Sequence, residues 1–202
     1  MAKTVFYSWQ SDLPHRTNRD FIQQALEEAA TALNASGDET IVVDRDTQGR
    51  VGSPDILRTI LEKIEKATVF VCDLSFVAEN DHRQLPNPNV LVEFGYAMHA
   101  LGMDKIVMVF NCAYGEVEKL PFDVGRFRAL PYYAADNIKE KMPEQGIFQA
   151  ELAQRIREIV LQARQEVAQE PVNNVIRALQ SNVPNTPSQV RQFMAWVGTE
   201  VE

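Results

Sequence analysis

Cysteine and histidine are scarce in this chain, with two and three copies in 202 residues. Cys72 and Cys112 each fall in or beside a β-prone run, so they read as core thiols and not as a disulfide framework or a zinc site. His15, His82 and His99 are scattered and add no metal-ligand spacing. No apolar run approaches the roughly 18 to 20 residues of a membrane span. The opening residues, MAKTVFYSWQSD, lack a signal peptide's apolar stretch and cleavage site, so the expectation is a cytoplasmic protein with no membrane partner. No GxGxxG follows the first apolar run, which argues against a hydride-transferring dehydrogenase. Basic residues are outnumbered, 20 against 28 acidic, and the net charge of −8 argues against a general nucleic-acid binder. No internal repeat or low-complexity tract is present.

What is there suffices for one ordinary core, since 45% of the residues are hydrophobic and 24% charged. KTVFYSW (3–9) is a β-prone run. The TNRD that follows resembles a capping box, opening a helix with Ile22, Ala25, Leu26, Ala29 and Leu33 on one face and Gly37 at its end. TIVVD (40–44) is the second strand, and the polar loop RDTQGRVG (45–52) leads to a helix begun by Ser53 and Pro54. Ile56, Ile60, Leu61 and Ile64 share a face of that helix. TVFVCDLS (68–75) is the third strand, and a long polar loop is expected after it. Asn87 as cap and Pro88 at the first helical position open the next helix, whose buried face carries Val90, Phe94, Ala97 and Leu101. KIVMVFN (105–111) and RALPYY (128–133) complete the strands, with Pro131 marking a sheet edge. A long helix is expected from about Ile147 to about Gln169, and after Pro171 one or two short helices, VNNVIRALQS and PSQVRQFMAWVGTEV.

Strands separated by helices call for crossover connections and hence a parallel sheet covered on both faces. The expectation is an open, doubly wound α/β domain of about five strands in flavodoxin-like order. It spans residues 1–170, with 171–202 as a helical C-terminal extension. In such sheets ligands collect at the carboxyl ends of the strands, near the reversal of strand order. Those ends are polar here: Ser8, Trp9, Gln10 and Ser11 after the first strand, Asp44, Arg45 and Asp46 after the second, Asp73 and Ser75 after the third, Asn111 after the fourth. Glu93 joins them. It lies three residues after Val90 and four before Ala97, so its carboxylate belongs to the buried side of its helix, where an unpaired charge is costly. The alternative is an ordinary surface glutamate paired with Arg83 or Arg45.

Three stretches together resemble a bacterial Toll/interleukin-1 receptor (TIR)-like domain: FYSWQSD, DRDTQGRVGSPDILRTILEKIEKATVFVCDLS, and NPNVLVEFGYA. The resemblance covers roughly residues 3 to 165. It implies that Glu93 is the catalytic residue of an enzyme that cleaves NAD, with NAD as substrate and no resident cofactor. It also implies work in an antiphage system and activation by self-assembly into a homo-oligomer. The chain departs from the family in lacking the serine and the tryptophan-cysteine pair that many TIR domains carry before that glutamate. Glu followed by GYA is also similar to the nucleoside 2-deoxyribosyltransferases, in which a helix glutamate attacks C1′ of a nucleoside.

Both families break an N-glycosidic bond, and a lone carboxylate suits that chemistry. The nicotinamide of NAD is bonded as a cation and leaves neutral, so no acid is needed to protonate it, while positive charge develops on the ribose. A fixed anion beside the ribose stabilises that charge more than the ground state. Trp9, with Phe76 or Tyr96, is expected to stack on a base, and Arg45 or Arg50 to neutralise diphosphate. Ser8, Asp44, Asp73 and Asn89 complete the expected substrate-binding set. The alternatives are a noncatalytic nucleotide-binding or TIR–TIR signalling module, and a nucleoside deoxyribosyltransferase or hydrolase.

Overall fold

A computed structural model describes residues 2–35, 40–45, 55–80, 83–135 and 143–181. In chain order the elements are β1 (Lys3–Ser8), α1 (Arg19–Ala35), β2 (Ile41–Arg45), α2 (Ile56–Lys66), β3 (Val69–Asp73), β4 (Phe76–Asn80), β5 (Arg83–Pro86), α3 (Pro88–Ala100), β6 (Ile106–Asn111), α4 (Phe122–Gly125), β7 (Leu130–Tyr132) and α5 (Pro143–Ser181). The chain divides into two units, residues 1–161 and 162–202, and the sheet lies in the first.

Five strands form a parallel sheet in the order β2-β1-β3-β6-β7. This is the flavodoxin-like order expected from the alternation of strands and helices: the chain winds outward from β1 to β2, then returns to β3 and continues the other way. Pro131 does lie on an edge strand, where a missing amide donor is tolerated.

Side chains alternate across the sheet with a period of two, and this sorts the core. Val5, Tyr7, Val71, Val109 and Tyr132 pack with Ile22, Leu26 and Leu33 of α1 and with Phe148 and Leu152 of α5. Phe6, Phe70, Cys72, Met108 and Phe110 pack on the other face with Ile64 of α2 and with Val90, Phe94 and Ala97 of α3. The same alternation sends Ser8 toward α3, while Trp9, one residue on, packs at the margin of the α1 face. Cys72 is buried and Cys112 partly buried, both as free thiols.

Four expectations need correction. The segment after β3 is not a long loop: β4 and β5 pair as an antiparallel hairpin, because the apolar Phe76 and Pro86 are both buried at its base. Ile56 does not join the buried face of α2; it is 63% exposed, since it occupies the first helical position after the Asp55 cap. That cap accepts the Arg58 amide. Leu101 is the C-cap of α3 and only partly buried, packed at the margin of the cluster that holds Val90, Phe94 and Ala97. Finally, α5 continues helically through Pro171 to Ser181. A proline removes one amide donor and crowds the preceding turn, yet its φ suits a helix, so it can interrupt without terminating. The starts and stops expected at Gly37, at Ser53 and Pro54, and beyond Ser181 lie outside the described residues.

Candidate functional site at the carboxyl edge of the sheet

The α3 helix is built to present Glu93. The Asn87 side chain accepts the amides of Asn89 and Val90 at 2.8 and 3.2 Å, fixing the helix start, and Pro88 occupies the first position. Val90, Phe94 and Ala97 then press one face onto the sheet. Glu93 shares the flank of that face, because residues three and four apart are neighbours on a helix.

Its carboxylate meets the end of β1. Ser8 Oγ donates to Glu93 Oε2 at 2.6 Å. Burial raises the Glu93 pKa above its ordinary value, and the Ser8 hydrogen bond opposes that rise by favouring the anion. Among the described residues no lysine or arginine pairs with Glu93. Arg45 instead donates to Gln23 on α1, and Arg83 does not line the cavity. The ordinary surface ion pair is therefore not what holds Glu93.

Beside Glu93 lies a cavity of about 250 Å³, walled by Ser8, Trp9 and Gln10 from β1 and its loop, by Asn87 and Asn89 from α3, and by Ile56 and Ile60 from α2. Four residues expected at the site meet here: Ser8, Trp9, Asn89 and Glu93. Trp9 is shared with a larger open hollow of about 610 Å³ over α1, which Arg19 and Arg45 also line. There the Arg19 guanidinium lies 5.0 Å from the centre of the Trp9 ring, so a cation–π contact already takes part of that indole surface.

The other expected residues lie elsewhere. Asp44 forms an ion pair with Lys63 of α2 at 2.8 Å. Phe76 is only 4% exposed, edge-on to Phe110 with ring centres 5.0 Å apart. Gly115 covers it so closely that a Cβ there would sit 2.6 Å from the ring. The Tyr96 hydroxyl donates to the Glu65 carboxylate, away from the cavity. Arg50 lies outside the described residues.

Asp73 is fully buried and does not line the cavity. One of its oxygens accepts from the Ser75 amide and hydroxyl at 3.0 and 2.6 Å. The other accepts from Gln10 and Asn18 at 3.1 and 3.2 Å. Burial pushes its pKa up and these four donors pull it back. Asn111 extends the network, accepting the amides of Ala113 and Ala134 and donating to backbone oxygens of Thr17 and Ala134. The ends of β3 and β6 and the start of α1 are thereby tied beneath the sheet's rim. Sequence reading placed Gln10 and Asn111 among polar strand ends without giving either a role, and read Asn87 as a cap alone; a polar side chain just past an apolar strand is the signal they share.

A half-buried carboxylate, held by one neutral donor beside a cavity, can stabilise a developing cation, attack an electrophilic carbon or take a proton from water. Among the described residues no cluster of three or more His, Cys, Asp or Glu is placed to hold a metal ion. Among those residues, too, no helix is long and apolar enough to cross a membrane.

Fold and site together define an open parallel α/β sheet protein with a carboxylate at its carboxyl edge. No protein-family model matches the chain, and no curated protein matches it. Among solved structures it is similar to a flavodoxin-like domain from Synechococcus sp., at 12% identity and a TM-score of 0.42 over 81% of this chain and 99% of that one. It is also similar to the RPS4 and RRS1 TIR domain heterodimer, at 15% identity and a TM-score of 0.39 over 79% of this chain and 98% of that one. The fold assignment rests on the strand order itself.

Proposed function

We propose that this chain is an NAD glycohydrolase that cleaves the bond between nicotinamide and ribose, with Glu93 as its catalytic carboxylate. The observation that carries the reading is the Ser8–Glu93 contact in the wall of the cavity: an anion is held in place, partly desolvated, with no cation among the described residues to neutralise it. In the reaction the C1′–N bond breaks and nicotinamide leaves with the electron pair, discharging its pyridinium. The ribose becomes an oxocarbenium-like cation, and Glu93 stabilises it more than the ground state. Water then adds at C1′ and its proton passes to solvent, giving ADP-ribose; capture by another nucleophile gives a cyclic product from the same cleavage.

The cavity of about 250 Å³ is smaller than the roughly 300 to 1,000 Å³ typical of pockets that enclose a whole ligand, so it suits one nucleoside half of the dinucleotide. The same size favours a second reading, transfer or hydrolysis at a free nucleoside with Glu93 as nucleophile. The resemblance to TIR-like domains supports a cytoplasmic role in antiphage defence and activity that rises with self-assembly. NAD incubated with concentrated protein should release nicotinamide, and Glu93→Ala should abolish the release. Deoxynucleosides with an acceptor base, followed by chromatography, separate the second reading. Assembly without any bond cleavage would leave a nucleotide-binding or signalling module.

A further inference from the structure

The end of β1 and the loop after it touch α3 and its cap at two points. Ser8 donates to Glu93, and four residues further on the Asp12 carboxylate accepts from Asn87 Nδ2 at 2.5 Å. Asn87 is the residue whose other side-chain atom caps α3, so the Asp12 contact orients the cap from outside. Between the two ties Gln10 turns inward and is only 3% exposed. Its Nε2 donates to Asp73 Oδ2 on β3, and its Oε1 accepts the amides of Asp12 and Leu13 at 2.7 and 2.9 Å. One side chain thus joins the middle of the sheet to the turn that carries Asp12.

We propose that Gln10 is the positioning residue of this site: anchored on Asp73, it folds the loop so that Asp12 reaches the Asn87 cap of α3, and the helix is held with Glu93 on the cavity beside the strand-fixed Ser8. This rests on the reading of Glu93 as the reactive carboxylate. Gln10 acts through its neighbours and need not touch the reacting bond. An uncharged group is required, because the position must donate to a carboxylate and accept from amides at the same time.

Gln10→Glu tests this, made in a Trp196→Phe parent so that Trp9 alone reports by fluorescence. In its neutral form the introduced carboxyl reproduces both contacts, its O–H donating to Asp73 and its carbonyl accepting the two amides. Ionised, it places a second negative charge against Asp73 and loses the donor. Around Asp73 lie Tyr7 of β1, Cys72 of β3 and Tyr132 of β7, all held protonated by burial, with Arg19 and Asp20 at the start of α1 beyond Tyr7. Glu93 of α3 lines the same cavity as Gln10, and Asp12 lies on the turn whose amides Gln10 accepts. These groups are common to parent and variant, so their difference isolates the new carboxyl.

At mildly acidic pH the variant should cleave NAD within about twofold of the parent, and at mildly alkaline pH it should fall about tenfold or more below it, with a matching transition in Trp9 emission and an unchanged far-ultraviolet circular dichroism spectrum. A variant that follows the parent at every pH, in activity and in emission, overturns the proposal. If it fails to fold on the alkaline side, Asp12→Ala on the exposed turn decides: kcat reduced about fivefold supports the positioning role, and an unchanged kcat overturns it. A parent that releases no nicotinamide sinks the glycohydrolase reading alone, since the Trp9 transition still decides whether Gln10 sets the loop.

Discussion

The Ser8 hydroxyl reaches Glu93 across 85 residues of sequence at 2.6 Å, and it is the hydrogen bond that favours the ionised carboxylate against its burial. Ser8 ends the strand next to the sheet's centre, paired with Cys72 in register, so its position is as rigid as the sheet.

Removing that donor should move the acid limb of the activity profile. Ser8→Ala leaves burial unopposed, raises the Glu93 pKa further, and should shift the acid limb of kcat/KM toward higher pH. The loss at the pH optimum is expected to be about tenfold, from one missing charge-assisted hydrogen bond of roughly 1.5 kcal/mol. A pH–rate series on both proteins measures it.

Glu93→Gln should lower turnover about 100-fold or more while making the protein no less stable at neutral pH. The folded pKa of Glu93 lies above its unfolded value. Between the two the folded state binds more protons, and stability falls as pH rises through that window. The amide carries no charge to desolvate and still accepts from Ser8. Its melting temperature should match or exceed wild type on the alkaline side, with the difference vanishing below the unfolded carboxyl pKa.

Asp73→Asn places an amide N–H against one of two donor pairs, the Ser75 pair or Gln10 and Asn18. At least one buried donor is then left unpaired, since of the four only the Ser75 hydroxyl can turn to accept, and the cost should be about 1–3 kcal/mol. Urea unfolding at fixed pH reads it as a lower midpoint with an unchanged slope.

Phe76→Leu should lower the melting temperature by loosening the contact with Phe110, and leave KM for NAD unchanged, since the ring is sealed beneath Gly115. A raised KM with intact stability would instead restore Phe76 to the binding surface.

How much of this could be read beforehand follows the range of the interactions. The cap at Asn87, the proline at 88 and the three- and four-residue spacings around Glu93 are local, and they placed that carboxylate on the flank of a buried helix face. The strand order followed from alternating elements and the handed crossovers that parallel strands require. Asp73 and Phe76 looked equally available from sequence, because a polar or aromatic residue at a strand's end reads the same whether it meets a ligand or a neighbour. The β4–β5 hairpin was missed for a related reason: its strands are short and show no clean alternation of apolar and polar residues, and the contact that gives it a reason to form is the buried pair Phe76 and Pro86.

By itself, then, the sequence determined which segments become the five strands of the parallel sheet and the helices between them, how that sheet is ordered, and which carboxylate rides on the α3 flank, since each depends on local periodicity and the order of elements. Tertiary structure alone decided that Glu93 takes Ser8 and no described cation, that Asp73 becomes the buried anchor for Gln10, and that Trp9 shares its ring with Arg19. Those outcomes are set by strand register and by which distant donors burial leaves within reach, and both exist only once the chain has folded.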